Sequence, residues 1–569
     1  MSPMNGWTRT NATSAFRHVA GAMLLVLPWQ ATPPAVTDDS DPPARAARIS
    51  YLSGDVSFQA SGASDWSAAT LNYSVTSGDR LVAGAAGRVE LEVGSLSARL
   101  GEGADVTVAT LDDHFTQFAL SQGALRVSVY QMLPQDSVEI DTPNGALTIL
   151  AAGKYRVDIL PNERGTVVRV DEGLVELSGP GIARQLRAGS VARLTGTDPI
   201  SLAPVAISPP DGFDQFSAER DRRATASPSV QYVGRDMPGA ADLDEHGRWQ
   251  QDAVYGPVWY PVRVPMGWVP YRYGHWAWIE PWGWVWVDDE AWGFAPFHYG
   301  RWVYVRSVWG WVPGPIVPRP WYAPALVVFV DGSHFSVGIG FQAWFPLGPR
   351  EPYFPWYHHG ERYLRSVNAT NMRGVTDIEV ILRERNLDHR TYVHRGAGIT
   401  AVPGAVFRGG EPVGRQAVHV RPEEVGRAGI AAHPSVRPDE RAAAGGRAAA
   451  RPPAMPRRPI ISAPPTRPEA PAREPKRVVP QSAVPGATRP LIVRHLPPAE
   501  NPPIATRRDA MQADPGRPLE PQQMKNLRAG QPAGPPRDRE NPAHPPKAEP
   551  KDTRKAEPKD AAKPPPKKP

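Results

Sequence analysis

Tryptophan is concentrated in one part of this chain, and that concentration restricts what the part can fold into. Between Tyr273 and Val287 the sequence reads YGHWAWIEPWGWVWV, five tryptophans in fifteen residues. Of the 18 tryptophans, 15 lie between Trp249 and Trp356. An indole ring is stabilised either by burial or by stacking on a flat or cationic ligand. This part of the chain is therefore the core of a small sheet, a binding platform or a surface for interfacial membrane contact.

A repeat with an offset of 26 residues runs through the tryptophan-rich part. Residues 270–279 (PYRYGHWAWI) align without gaps with residues 296–305 (PFHYGRWVYV). WGWVW follows the first copy and WGWVP the second, with one extra residue before the latter. Two copies are too few for a solenoid, so the repeat indicates a duplicated local motif.

Each copy predicts a β-hairpin, because alternate residues of a strand point to the same face. In the first copy Trp276 and Trp278 share a face with Trp284 and Trp286 on the return strand. In the second copy Trp302 and Tyr304 oppose Trp309 and Trp311 in the same way. The sequence therefore predicts cross-strand aromatic pairs in both copies.

Residues 48–197 have a different pattern, with short alternating segments separated by glycine. Examples are RVELEV at 88–93, SVEIDT at 137–142 and KYRVDIL at 154–160. Many short strands at this spacing are typical of a β-sandwich, barrel or roll. With the hairpins, they predict an all-β fold class.

The order of these segments resembles the FecR domain. The resemblance rests on SGDRL (77–81), AAGRVELEVGS (85–95), TPNGALTILAAGKYRVDI (142–159), VRVDEGLVEL (168–177) and RAGSVARL (187–194). It implies a β-sandwich or roll in the periplasm, where FecR relays a transporter's ligand status to a sigma factor. No segment ahead of Val19 is long enough for a sigma-factor-binding region, so transmembrane signalling is not expected here.

Residues 246–420 resemble an uncharacterised tryptophan-rich domain found behind FecR-like domains in bacterial exported proteins. The resemblance includes WGFAPFHYGRW and WFPLGPREPYFPWY. It implies a place in the cell envelope and no known activity. Residues 198–245 read as a linker, in which 213–223 predicts a short helix docked through Phe213 and Phe216.

The two ends of the chain carry further signals. Basic residues precede the apolar run Val19–Trp29, which is too short for a membrane span of about 20 residues and typical of an export signal. We therefore predict a signal peptide at 1–31, a periplasmic or secreted protein, and no transmembrane segment in the mature chain. Residues 421–569 predict a disordered tail: from Arg451 onward there are 31 prolines in 119 residues and no aromatic residue.

The composition excludes several chemistries. The chain has no cysteine, so disulfides, thiolate zinc sites and cysteine nucleophiles are absent. The histidines of the tryptophan-rich part show no HxH or HExxH spacing, and no nucleophile elbow or phosphate loop occurs. The basic tail lacks the aromatic or ordered basic surface that nucleic-acid binding needs. We expect no enzyme activity, no catalytic residue, no metal, no cofactor and no nucleic-acid partner.

These observations favour an exported cell-envelope binding or scaffold protein that contacts a protein, a polysaccharide or peptidoglycan. A regulatory sensor of FecR type, acting in trans with a membrane partner, is the alternative. If some aromatic rings are exposed, the turns and the 343–357 segment are where they are expected. The predicted ligand or partner surface is Trp282, Trp309, Trp344, Arg350, Tyr353 and Trp356.

Overall fold

The computed structural model describes residues 41–161, 165–331, 340–372, 390–443, 460–462 and 490–534. The chain divides into a unit of Met1–Asp39 and a unit of Ser40–Pro569. The predicted signal peptide lies outside the described residues. The fold is mostly β, as the sequence predicts, with several sheets and short helices.

The strands of residues 48–204 form two sheets that share one strand. They are β1 (Ala47–Ser53), β2 (Val56–Gln59), β3 (Ser67–Ala68), β4 (Ser74–Val75), β5 (Arg80–Ala83), β6 (Arg88–Val93), β7 (Leu96–Leu100), β8 (Asp105–Leu111), β9 (Phe115–Val129), β10 (Ser137–Thr142), β11 (Gly145–Ile149), β12 (Gly153–Ile159), β13 (Thr166–Glu172), β14 (Leu174–Gly179), β15 (Ile182–Arg187), β16 (Ser190–Thr195) and β17 (Ser201–Pro204). We call this part the β-rich region.

Sheet A has the order β4-β1-β6-β7-β9-β12-β13-β16-β17. Sheet B has the order β3-β2-β5-β8-β9-β10-β11-β14-β15, in which β9 and β10 run parallel. Strand β9 passes from sheet B to sheet A at Gly123, whose φ is +77°. A Cβ atom there would lie 2.5 Å from the Cα atom of Ala104, so only glycine fits this crossing.

The segment predicted as a linker carries three helices: α1 (Gly212–Ala226), α2 (Val230–Val233) and α3 (Asp242–His246). The predicted short helix is confirmed as α1, with Phe213 buried and Phe216 half-buried. Helix α1 packs on sheet A, so this part of the segment is not a free linker. Its N-terminus is fixed by a capping box between Asp211 and Asp214.

A row of arginines explains why α1 docks on sheet A. Arg99, Arg126, Arg156 and Arg169 lie side by side on four neighbouring strands. Asp214 of α1 forms ion pairs with Arg126 at 2.8 Å, with Arg156 at 3.0 Å and with Arg169. The acidic groups of the helix thus neutralise a row of like charges that would otherwise repel one another.

The tryptophan-rich region contains three smaller sheets. Its elements are β18 (Gly247–Asp252), β19 (Gly256–Pro261), β20 (Gly274–Ile279), β21 (Gly283–Asp288), α4 (Ala295–His298), β22 (Arg301–Val305), β23 (Val308–Val312), β24 (Val327–Val330), β25 (Phe341–Pro346), α5 (Glu361–Ala369), β26 (Thr400–Pro403), α6 (Gly404–Arg408), α7 (Pro422–Arg427), β27 (Ile430–Ala431) and α8 (Glu440–Ala443). The orders are β18-β19-β23-β22, β20-β21 and β26-β25-β24-β27.

Strands β20 and β21 pair antiparallel with indoles directly opposite each other. Trp276 faces Trp286 with ring centroids 5.5 Å apart, and Trp278 faces Trp284 at 5.4 Å. In the second copy of the repeat, β22 pairs with β23. That pair belongs to a four-stranded sheet, whereas β20 and β21 form a sheet of two. Both copies therefore form antiparallel aromatic pairs, but they differ in turn length and in their surroundings.

Part of the predicted disordered tail is ordered and packed on the rest of the fold. It forms β28 (Ile460–Ser462), β29 (Leu491–Val493), α9 (Ile504–Ala510) and α10 (Pro521–Arg528). Ile492, Met511 and Met524 are buried in the same hydrophobic core as both preceding regions. The prediction of disorder from 421 onward therefore fails for these segments, because a proline-rich average hides short apolar stretches.

Candidate functional site

Of the six residues predicted as a ligand surface, five are buried in the structure and one is exposed. Five of them are at most 4% exposed, namely Trp282, Trp309, Trp344, Tyr353 and Trp356. Arg350 is exposed on a turn, with φ of +67°. Among the described residues no tryptophan is exposed; Trp66, Trp249 and Trp321 are half-buried. The structure thus presents the aromatic cluster as core.

Hydrogen bonds show why these indoles are held inside. The ring N–H of Trp344 donates to the carbonyl of Tyr271 at 2.9 Å, and that of Trp356 to the carbonyl of Trp282 at 3.0 Å. Each bond satisfies a buried indole N–H and ties one segment of the region to another. Stacking on a ligand would require these rings to move away from the carbonyl oxygens that accept their hydrogen bonds.

The chemically distinctive place in this structure is a buried junction between the β-rich and tryptophan-rich regions. Arg48 of β1 is fully buried. Its guanidinium forms ion pairs with Asp242 of α3 and, at 3.2 Å, with Glu92 of β6. It also donates to the carbonyl of Ala291 at 2.7 Å. We call this group, together with Asn72, the Arg48 junction.

Asn72 completes the junction from the β-rich side. Its side-chain oxygen accepts from Arg48 at 2.8 Å and 3.0 Å, and its amide nitrogen donates to the carbonyls of Asp288 at 3.1 Å and Glu290 at 2.7 Å. The residue has φ of +63°, a conformation that asparagine adopts more readily than most residues. Ser74 adds a 2.7 Å hydrogen bond to the hydroxyl of Tyr322. The two regions are thus joined by satisfied, buried polar groups.

The C-terminal segment bonds to both regions at Arg507 of α9. This side chain is 4% exposed and forms a 3.0 Å ion pair with Glu280 of the tryptophan-rich region. It donates to the carbonyl of Ser61 in the β-rich region at 2.8 Å and to that of Pro502 at 2.9 Å. One guanidinium therefore connects three separate parts of the chain.

A cleft in the tryptophan-rich region contains a buried histidine. The cleft is narrow and partly open to solvent, with a cavity volume of about 20 Å³. Nδ1 of His298 lies 2.8 Å from the carbonyl oxygen of Ala323, and the ring stacks on Tyr322. Burial lowers the pKa of His298 to about 3, so the imidazole is neutral at physiological pH. The histidine therefore supplies a neutral polar group and no charge.

Arg301 lines the same cleft and is fully buried. It donates to the carbonyls of Gly300 at 2.8 Å and Glu351 at 3.1 Å and 3.2 Å. Within the described ranges it has no carboxylate within ion-pair distance. Burial lowers its pKa to about 10, which leaves the guanidinium charged at neutral pH. With a further hydrogen bond to the side-chain oxygen of Asn368 at 3.4 Å, it holds three chain segments together, which is a structural role.

Neither place resembles a metal site. In the part of the chain that the structure describes, no group of three or more histidine, aspartate or glutamate side chains could hold a metal ion. Likewise, none of the described helices is long and apolar enough to cross a membrane. His334, one of the histidines considered for a metal site, lies outside the described residues.

Neither junction residue was predicted from the sequence. Arg48 alternates with Ala47 and Ile49 in its strand, a position that normally faces solvent, and Asn72 lies in a turn. Their partners are far along the chain, so their burial depends on contacts that a local pattern does not show.

Comparison with known proteins agrees with a tryptophan-rich domain of unknown role. Residues 240–351 match the model of a family of unknown function, DUF6600. The match begins just before α3 and includes the repeated strand pairs β20–β21 and β22–β23. It covers less than half of the chain. No curated protein matches this sequence.

Among solved structures, two crystal structures titled "a putative anti-sigma factor from Parabacteroides distasonis ATCC 8503" are similar over a limited stretch. Sequence identity is 14% and 13%, and each alignment covers 22% of this chain and 59% of the other. The chain thus spans less than two thirds of these structures. Their TM-score of 0.20 is too low to establish a common fold.

Proposed function

We propose that this protein is an exported, non-enzymatic binding or scaffold protein of the cell envelope. In this proposal the β-rich region is a FecR-like sandwich or roll, and the tryptophan-rich region is a hairpin module that supports it. The N-terminal residues 1–31 are the export signal, and the protein acts in the periplasm or outside the cell. Its partners are envelope proteins, polysaccharide or peptidoglycan.

The observation that carries the proposal is the Arg48 junction. A fully buried arginine between two regions is tolerated only when its charge and hydrogen bonds are satisfied from both sides. Arg48 has its partners in Glu92 on one side and in Asp242 and Ala291 on the other. Two regions fixed in this way present their outer surfaces as one body, which suits a scaffold better than a pair of mobile binding modules.

The burial of the aromatic rings supports a structural role for the tryptophans. A glycan platform needs rings with one free face, and the described tryptophans are buried or half-buried. Binding is therefore assigned to the outer surfaces and the edges of the sheets. In this proposal the envelope partner contacts these outer surfaces and not the buried tryptophans.

The direct test is retention of the full-length exported protein on purified peptidoglycan and on envelope polysaccharide. In parallel, the protein is crosslinked in intact cells and its adducts are identified by mass spectrometry. A saturable interaction with a polymer or an envelope protein supports the proposal. Absence of both, with the protein folded and exported, would refute it.

The alternative is a FecR-type sensor that works in trans with a membrane protein. The FecR-like order of segments in the β-rich region favours it. A sensor requires one dominant membrane partner and a change in crosslinking when an envelope signal changes. If the crosslinks are spread over several abundant envelope proteins and do not change with conditions, the sensor function is contradicted and the scaffold function is retained.

A further inference from the structure

Five consecutive residues of the C-terminal segment lie along sheet B, and the first three of them also pair in parallel with β28. Leu491, Ile492 and Val493, which form β29, are all buried. Ile492 pairs with Thr142 at the end of β10. We call residues 491–495 the resident segment and its seat on sheet B the resident groove. An extended segment held at a strand in this way resembles the peptide-binding mode in which main-chain pairing gives affinity and side-chain pockets give specificity.

The groove contains a buried carboxylate that recognises the end of the resident segment. Glu139 of β10 is fully buried. One carboxylate oxygen accepts the main-chain N–H of Arg494 at 2.8 Å and that of His495 at 3.2 Å, and the other lies 2.5 Å from Nδ1 of His495. Gln117 of β9 donates to the carbonyl of His495 at 2.7 Å. These contacts fix the direction and register of the segment.

A second acidic group, Glu176 at the edge of the groove, forms an ion pair with a charged side chain of the segment. The guanidinium of Arg494 forms a 2.7 Å ion pair with Glu176 of β14 and lies 3.4 Å from the hydroxyl of Thr148. The Arg494 side chain is 43% exposed and that of Glu176 is 26% exposed, so this pair can be altered without burying a bare charge. The groove therefore selects three aliphatic residues followed by arginine and histidine.

A second buried carboxyl group lies beside Glu139 in the groove. Asp141 of β10 is fully buried and accepts from Gln117 at 2.9 Å through one oxygen. Burial and the neighbouring Glu139 raise the pKa of Asp141 well above its usual value. The two carboxyl groups make this part of sheet B the acidic end of the groove.

The position of the segment in the chain allows exchange. Strand β28 (Ile460–Ser462) pairs in parallel with β29, and residues 496–503 lead from the segment to α9. A connection of the length of residues 496–503 can span several times the width of a strand pair. Withdrawal of the resident segment breaks its pairing with β28 and the contacts of residues 491–495, and it leaves the strand pairs of sheets A and B intact.

We propose that the resident groove is a docking site for an extended peptide of a partner protein, and that residues 491–495 compete for it from within the chain. The partner peptide carries three aliphatic residues followed by two basic ones. This inference deepens the proposed binding function and rests on it. Occupation by its own segment keeps the site closed until a partner reaches a sufficient local concentration.

The test measures binding of a fluorescent peptide of residues 489–497 (RPLIVRHLP) to the full-length protein by anisotropy. In the wild-type protein the resident segment competes and binding is weak. In Arg494→Glu the resident segment loses its ion pair with Glu176, and the free peptide binds at least ten-fold more tightly. The double variant Glu176→Lys with Arg494→Glu restores the intramolecular pair with reversed charges, and it binds a charge-matched peptide (RPLIVEHLP) as weakly as the wild-type protein binds the original peptide.

Hydrogen exchange of residues 491–495 is measured in the same three proteins. We expect fast exchange in Arg494→Glu and protection in the wild type and the double variant. If the segment stays protected in Arg494→Glu, or if peptide affinity is the same within two-fold in all three proteins, the segment is a fixed strand and the proposal is wrong. Crosslinking to an envelope partner that persists in that case would leave the proposed function standing without this site.

Discussion

Arg48 on β1 forms a buried ion pair with Asp242 on α3, which lies 194 residues further along the chain. This contact joins the β-rich region to the helix that precedes the tryptophan-rich region. Because the guanidinium also donates to the carbonyl of Ala291, the pair is satisfied from both regions. We regard it as the contact on which the single-body architecture depends most.

Replacing Arg48 tests this dependence. In Arg48→Met, Asp242 and Glu92 lose a shared cation inside the protein, and removal of one partner of a buried pair typically costs about 3–5 kcal/mol. We expect a loss of this size in the free energy of unfolding, measured with urea. The matched control is Arg222→Met, because the Arg222 side chain is 71% exposed and should change stability by less than about 1 kcal/mol. Equal effects would show that the junction contributes no more than a surface pair.

The assignment of the tryptophans to the core gives a second prediction. Trp286 is fully buried, and truncating such a residue typically costs about 3–5 kcal/mol. Tyr304, which takes the place of Trp278 in the second copy of the repeat, is 44% exposed. We expect Trp286→Ala to destabilise strongly and Tyr304→Ala to cost less than about half as much, measured by thermal and urea unfolding. A stable Trp286→Ala protein would contradict the core assignment.

A third prediction concerns pH. Burial lowers the pKa of His298 to about 3, whereas histidine in an unfolded chain has a pKa of about 6.5. As the pH falls below 6.5 the unfolded chain takes up a proton that the folded protein does not, so stability decreases by up to about 1.4 kcal/mol per pH unit. In His298→Asn, which can retain the hydrogen bond to Ala323, this part of the acid dependence should disappear.

The control for the pH experiment is His419→Asn, because His419 is exposed. Unfolding free energies are compared with wild type at several values between pH 7 and pH 4. A His298→Asn protein with the same pH dependence as wild type would show that His298 is protonated equally in both states. Other titrating groups also contribute to the pH dependence of the wild-type unfolding free energy. The prediction therefore concerns the difference in pH dependence between His298→Asn and the wild-type protein.

The docking of α1 gives a fourth prediction. The charges and hydrogen bonds of Arg169 and Arg156 outweigh burial and lower the pKa of Asp214 to about 2. A depressed carboxyl pKa stabilises the folded state above about pH 4, and this stabilisation is lost as the pH falls from about 4 to about 2. Asp214→Asn should therefore speed hydrogen exchange throughout α1 at pH 7. Glu219→Gln on the exposed side of the helix should not, and equal exchange in both variants would contradict ion-pair docking.

Several features of the fold were predictable because they depend on local pattern. Alternation of tryptophan with small residues predicts which indoles face each other, and Trp276 does lie opposite Trp286. Alternating polar and apolar residues likewise predict a mostly β fold for residues 48–197. The helix at 213–223 was predictable from its charged and aromatic residues. Each of these inferences uses residues that are close in the chain.

The candidate site was less predictable because it depends on long-range contacts. Whether a tryptophan face meets water or another sheet is decided by segments elsewhere, as Trp282 illustrates: it was expected at an exposed turn and packs against Tyr322. Burial of Ile492 likewise depends on a distant segment, because this residue pairs with Thr142 at the end of β10. A proline-rich composition predicts disorder as an average over the whole tail. It does not reveal that a short apolar segment within the tail packs on a sheet elsewhere in the fold.

The measurement that tests the single-body account most directly compares unfolding of the two regions in one protein. Tryptophan fluorescence reports mainly on the tryptophan-rich region, because 15 of the 18 tryptophans lie between Trp249 and Trp356. Hydrogen exchange of β9 and β12 amides reports on the β-rich region. The account predicts that both probes give the same urea midpoint in the wild-type protein and separate midpoints in Arg48→Met. Two separate transitions in the wild-type protein would contradict it.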